Sequence, residues 1–184
     1  GIPSSFQMTF ELTAFSAAAI IMGLIGKVEQ ASHQIAINLA SITFMIATGL
    51  AMAATIRVGN QLGKGDISKV KDAGYSAMIQ ITIFMIVAAT GFVLARHLLP
   101  TMYMDNAEVI SIAAYLLLAA AIFQIPDGIQ VITLSALRGL QDVKVPTLIT
   151  FLSYWLLGIP CSYILAITLE WGPIGVWIGL IVGL

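Results

Sequence analysis

Two acidic residues sit where carboxyls are costly. The stretch AIFQIPDGIQVI, residues 121–132, is mostly apolar, yet Asp127 lies inside it between Pro126 and Gly128. Glu11 has a similar setting in SSFQMTFELTAF, residues 4–15. Both runs are parts of segments long enough to cross a bilayer. An acid at the centre of a membrane helix costs about 2.5–3.5 kcal/mol on insertion scales. Holding it neutral at pH 7 costs about 4 kcal/mol when the reference pKa is near 4. No lysine or arginine falls inside an apolar run to offset either charge. The carboxyls therefore carry protons, or they meet water or a cation. Shared capture of one cation or one proton is the chemistry such a pair can perform.

The neighbours of Asp127 favour that reading. Pro126 has no N–H to donate to the Ile122 carbonyl and tends to kink the helix there. Gly128 adds looseness. A freed carbonyl beside a carboxylate is a ligand set for a hard cation, as in the broken helices of transporters. A proline kink beside a protonated acid bonded to a neighbouring helix is the plainer alternative. Other groups recur at helical spacing. Ser4, Gln7, Glu11 and Phe15 share one face, and Phe123, Asp127, Gln130 and Leu134 share another. Gln34, Asn38, Ser41, Met45, Thr48 and Met52 form a third stripe. Such stripes suit a cavity walled by a few polar groups, methionines and aromatics. Taken singly, each Gln, Asn or Ser fits interhelical hydrogen bonding as well.

The elements that must position these residues are apolar helices. The chain has 184 residues, 59% hydrophobic and only 9% charged. A soluble domain carries about 25% charged residues, so this composition indicates a membrane protein. Helices are expected over about 3–26, 32–57, 73–94, 107–137 and 147–169, with a sixth, truncated one over 174–184. The runs are too long for barrel strands and do not alternate. The sequence starts with Gly1 and stops within the sixth run, so it is expected to be a fragment cut at both ends. Six of the eight Lys and Arg residues cluster in two connections, against Lys27 and Arg96 in the others. Arg57, Lys64, Lys69 and Lys71 follow the second helix, and Arg138 and Lys144 follow the fourth. The positive-inside bias places both connections in the cytoplasm, so the first helix begins on that side of the plasma (inner) membrane. Helices one and four then run in opposite directions. Glu11 lies roughly 12 Å along the first helix at 1.5 Å per residue, and Asp127 falls at a similar depth.

Other chemistry is set aside. Scarce charge leaves no basic groove for nucleic acid. Cys161 is the only cysteine, so neither an internal disulfide nor a cysteine metal cluster can form. No HExxH, GxSxG or P-loop pattern is present. An intramembrane aspartyl protease needs two aspartates, and the helices hold one. His33 and His97 fall at expected helix ends, His33 as an interfacial cap, and Trp177 falls near a turn. The reading is a non-enzyme without a cofactor, in which no metal is expected beyond a possible Na⁺ at Glu11 and Asp127.

Four stretches carry a family resemblance: GIPSSFQMTFELTAFSAAAIIMG, HQIAINLASITFMIATGLAMAATIRVGNQLGKGD, FQIPDGIQVITLSALRGLQDVKVP and GIPCSYIL. They resemble the second half of a multidrug and toxic compound extrusion (MATE) transporter of the NorM-like branch. The resemblance spans essentially the whole chain. It implies an all-α, polytopic membrane bundle forming the C-terminal six-helix lobe of a twelve-helix transporter, whose N-terminal lobe is a required partner. It implies export of organic cations in exchange for Na⁺ or H⁺, the coupling ion binding at Glu11 and Asp127. Gln34 matches a glutamine that faces drug in some relatives, and Gln7, Asn38, Phe123 and Gln130 are the further cavity candidates. Some members carry a tyrosine where this chain has Phe123, so a ligand set copied whole is not expected. Two alternatives stay open. A lipid-linked sugar flippase of the same architecture would want basic groups in its cavity, and the helix bodies hold none. A non-transporting scaffold subunit would make both acids dispensable.

Overall fold

The computed structural model describes residues 2–184, and six helical spans account for most of them. They are α1 (Ile2–Ile25), α2 (Lys27–Gly63), α3 (Ile67–Ala95), α4 (Ala107–Gly139), α5 (Lys144–Thr168) and α6 (Pro173–Gly183). The first five are long and apolar enough to cross a membrane. A short 3₁₀ turn, Leu99–Met102, links α3 to α4. Among the described residues there is no strand.

The helices outrun their apolar segments. α2 was expected over 32–57 but runs from Lys27 to Gly63, and α3 starts at Ile67 rather than 73. At 1.5 Å per residue, α2 is about 55 Å long against a hydrocarbon core of about 30 Å. Nothing in its polar ends breaks the helix, so it continues into the headgroup region. The expected polar loop shrinks to residues 64–66, where Gly65 takes a positive φ of 75°. Asp66 then caps α3, its carboxylate accepting from the Lys69 N–H at 3.1 Å.

α4 is the axis of the bundle. Over half of its apolar window (56%) is buried, twice the share of any other span. α2 lies parallel to it and is held in step by three bonds. Ser32 donates to the Val109 carbonyl (3.2 Å), Thr43 to Gln124 Oε1 (2.9 Å) and Thr55 to the Ser135 carbonyl (2.9 Å). Rows of small residues let these helices close in. Ala47, Ala51 and Ala54 of α2 and Ala77, Ile81 and Met85 of α3 enclose Ile132 of α4. Gly128 is where α3 comes closest, since a Cβ there would lie 2.6 Å from Met85 Cγ.

α5 and α6 form a second tight pair. A Cβ on Gly175 would lie 2.6 Å from the Ala166 nitrogen, and Gly183 faces Gly158. Ser162 Oγ donates to the Val176 carbonyl at 3.0 Å. α5 is wound wide in two stretches, Leu152–Gly158 and Ile164–Thr168, with i→i+5 bonding. Pro160, between them, has no N–H for a regular ladder.

One expected interfacial residue is buried. His33 is no interfacial cap: α2 begins six residues earlier, which carries the imidazole into the core at 1% exposure. It meets Trp177 edge-on at 5.7 Å. Trp177, in the second turn of α6, is fully buried and packs on Phe123 as well, at 5.4 Å.

Candidate functional site

Glu11 and Asp127 open onto one cavity of about 300 Å³. Its walls come from four helices. α1 supplies Met8, Glu11, Leu12 and Phe15; α2 supplies Ile37, Ala40, Ser41 and Phe44; α4 supplies Phe123, Asp127, Gln130 and Val131; α5 supplies Tyr154. Asp127 is buried and Glu11 half-buried. The two carboxyls act on each other electrostatically. Their helices run antiparallel, as the charge pattern required, so residues 116 positions apart in sequence reach the same depth.

The spacing of the apolar wall explains why the site forms here. Glu11 and Phe15 stand one turn apart on α1, as do Phe123 and Asp127 on α4. Phe15 and Phe123 meet edge-on at 6.0 Å and both line the cavity wall. Gln130 continues the α4 stripe by a further turn. Four of the seven candidate residues, Glu11, Asp127, Phe123 and Gln130, are thereby brought together.

The other three are placed elsewhere. Gln7 was expected to line the cavity, but it is 99% buried within the protein. It donates to Thr150 Oγ1 (3.5 Å) and accepts from Arg138 Nη2 (3.3 Å). One helical turn before Glu11, the α1 face has rotated toward α5, which turns Gln7 inward. Gln34 and Asn38 lie on the exposed face of α2, and Asn38 accepts from the Tyr103 hydroxyl at 2.7 Å. The α2 stripe drifts around the helix, and only Ser41 among its polar members reaches the cavity.

The expectation that nothing positive lies near the acids is also corrected. α4 continues through Gly139, which brings Arg138 into its last turn. The side chain reaches back to Gln7, and its charge acts on Glu11. Tyr154 went unnoticed in the sequence. Its hydroxyl donates to Gln130 Oε1 at 3.2 Å, and its ring packs beside Phe15 at 6.1 Å. The only signal for it was its hydroxyl, beside that of Ser153, in the otherwise apolar run FLSYWLLGIP.

Two carboxyls, a phenol and a carboxamide are hard oxygen donors, suited to a proton or an alkali cation. Among the described residues no group of three or more His, Cys, Asp or Glu side chains gathers, so the donors do not resemble a zinc or calcium cage. A second cavity of about 390 Å³, between α1 and α5, is walled by Ala17, Ile20, Ile159, Pro160 and Tyr163 and offers no comparable chemistry.

Comparison with known proteins decides the family. Residues 3–164 match the MatE family model. The chain belongs to the MatE family. Over all of its 184 residues this MatE chain is 40% identical to the probable multidrug resistance protein NorM of Xanthomonas axonopodis pv. citri (strain 306). It is also 40% identical, over a 188-residue alignment, to the multidrug resistance protein MdtK of Photorhabdus laumondii subsp. laumondii. It spans 40% and 41% of the lengths of those two relatives. All of it superposes on 41% of the eukaryotic MATE transporter AtDTX14, with a TM-score of 0.93 and 25% identity. The all-α, polytopic membrane architecture expected from the sequence is thereby shown.

Proposed function

We propose that this chain is the ion-coupling, C-terminal lobe of a multidrug efflux antiporter, which exports organic cations in exchange for Na⁺ or H⁺. One observation carries the reading: Glu11 and Asp127 approach from antiparallel helices and share a cavity whose other walls are aromatic and aliphatic. Two ionised carboxyls in a confined, low-dielectric space repel each other. One Na⁺ or one proton relieves that repulsion, so the site gains affinity for a positive charge. Phe15, Phe44, Phe123 and Met8 would tolerate drugs of varied shape, and the carboxyls would favour cationic ones.

Antiport follows if the coupling ion and the drug stabilise different arrangements of the helices. An ion arriving from outside neutralises the pair, drug affinity falls, and the drug leaves outward. Pro126, next to Asp127, and the wide turns of α5 are the segments where the backbone ladder is weakest. Its partner in this reading is an N-terminal lobe, in line with a chain that spans about two-fifths of the length of those relatives. In this reading the first helix starts on the cytoplasmic face of the inner membrane.

The test is cation-driven dye export by a full-length transporter containing this chain, with Na⁺ and pH gradients imposed separately. Asp127→Asn and Glu11→Gln are each expected to reduce export at least about tenfold. Undiminished export in both would remove the two carboxyls from the mechanism.

A further inference from the structure

We propose that Tyr154 is a ligand of the coupling cation, with its phenolic oxygen held toward the two carboxyls by Gln130. The inference rests on the reading of Glu11 and Asp127 as the cation site. It goes beyond that reading in naming a third, neutral oxygen and in favouring a coordinated alkali cation over a bare proton.

The phenol is placed as a ligand rather than as packing. Tyr154 lines the same cavity as both acids, although it comes from a fifth span that the acidic pair does not involve. Its ring is 1% exposed and wedged beside Phe15, so it has little freedom to swing away. A hydroxyl has one hydrogen to give and two lone pairs to offer. The hydrogen is committed to Gln130 Oε1 at 3.2 Å. The lone pairs are therefore left for a positive partner in the cavity that both carboxyls line. Both carboxyls are near enough to act electrostatically on the phenol.

The rest of the wall makes this oxygen informative. Phe123, one turn before Asp127, has none. The one other wall hydroxyl, Ser41, sits on α2 and donates to its own helix at the Ile37 carbonyl. A proton needs only a carboxylate, whereas a dehydrated alkali cation needs several oxygens at once. Tyr154 supplies one, and Gln130 orients it in the way outer groups orient metal ligands. Tyr154 lies within the wide-wound stretch Leu152–Gly158, in keeping with the frequent use of such turns at functional sites.

The experiment is a thermal-unfolding titration of the full-length transporter in detergent, with NaCl against choline chloride at matched ionic strength. A ligand that binds the folded state raises Tm according to its occupancy. Wild type is expected to gain Tm with Na⁺ but not with choline. Tyr154→Phe keeps the ring and is expected to need about tenfold more Na⁺, or beyond, for the same gain. Gln130→Met frees the phenol and is expected to shift the titration in the same direction by less. A role confined to packing would change the Tm without Na⁺ and leave the titration midpoint alone. A Tyr154→Phe midpoint equal to wild type, or a wild type indifferent to Na⁺, overturns the proposal. If Tyr154→Phe does not fold, an unmoved Gln130→Met midpoint overturns it instead. Asp127→Asn and Glu11→Gln separate the two readings. If they lose the Na⁺ response while Tyr154→Phe keeps it, only Tyr154 is misassigned. If they keep it, the carboxyl site itself is wrong.

Discussion

Arg138 Nη2 donates to Gln7 Oε1 across 3.3 Å, joining the last turn of α4 to the second turn of α1. The Gln7 amide nitrogen continues to Thr150 on α5, and Thr147 donates to the Pro3 carbonyl at 3.0 Å. These bonds clasp one end of α1 to two neighbours directly beside Glu11. The Arg138 guanidinium is thus held at Gln7, one turn before Glu11, where it adds positive charge without lining the cavity.

Gln7→Leu should weaken that clasp. The leucine fills similar space but strands the buried Thr150 hydroxyl, whereas the exposed Arg138 can turn to solvent, and an unsatisfied buried polar group costs about 1–3 kcal/mol. Thermal or denaturant unfolding in detergent measures the loss. Stability equal to wild type would show that the clasp contributes nothing to holding α1.

The Thr43–Gln124 bond between α2 and α4 admits a cycle. Thr43→Val leaves the buried Gln124 carboxamide with neither atom paired, because its Nε2 already lacks a partner. The single change should cost about 1 kcal/mol or more. Adding Gln124→Met removes the stranded amide and should recover most of that cost. Strict additivity of the two losses would contradict this account.

Gly175 should not tolerate a branched side chain. Its Cβ would strike the α5 backbone, which cannot rotate away as a side chain can. Gly175→Val is expected to cost more than the usual 1–3 kcal/mol of overpacking, seen as a fall in folded yield. Gly49→Ala is the control, since no atom beyond its own stretch of helix lies within 4 Å of the added methyl. Equal yields of the two variants would refute the close approach of α5 and α6.

His33 should be replaceable. Its Nδ1 is buried without a partner, and Trp177 gives it only an edge-on ring contact. His33→Leu removes an unpaired polar atom and should leave stability within about 0.5 kcal/mol of wild type, or raise it. Dye export should persist. A folded His33→Leu variant that fails to export would place the imidazole on the ion path.

Much of this molecule is written locally. Apolar runs of spanning length dictate helices, because buried backbone groups in a bilayer must bond within their own segment. The uneven Lys and Arg pattern implies alternating direction, and alternating direction puts Glu11 and Asp127 at one height. The helix ends were less legible. A polar residue beyond the membrane can extend a helix as readily as end it, and so 32–57 became Lys27–Gly63.

Rotation about each helix axis is what only the tertiary structure decided. Spacing says that Gln7 and Glu11 share a face, yet the packing of α5 turns Gln7 into a buried clasp and leaves Glu11 on the cavity. The same is true of Gln34 and Asn38, which the drift of α2 carries to an exposed face while Ser41 reaches the site. Tyr154 and Arg138 come from segments far along the chain, Tyr154 from a wide-wound stretch and Arg138 from the two residues by which α4 outruns its expected end. Sequence alone determined which groups are too polar to face lipid. Which of them meet follows from how small residues let the helices approach, since side-chain contact depends on the closest fit of whole surfaces and is not encoded in any one segment.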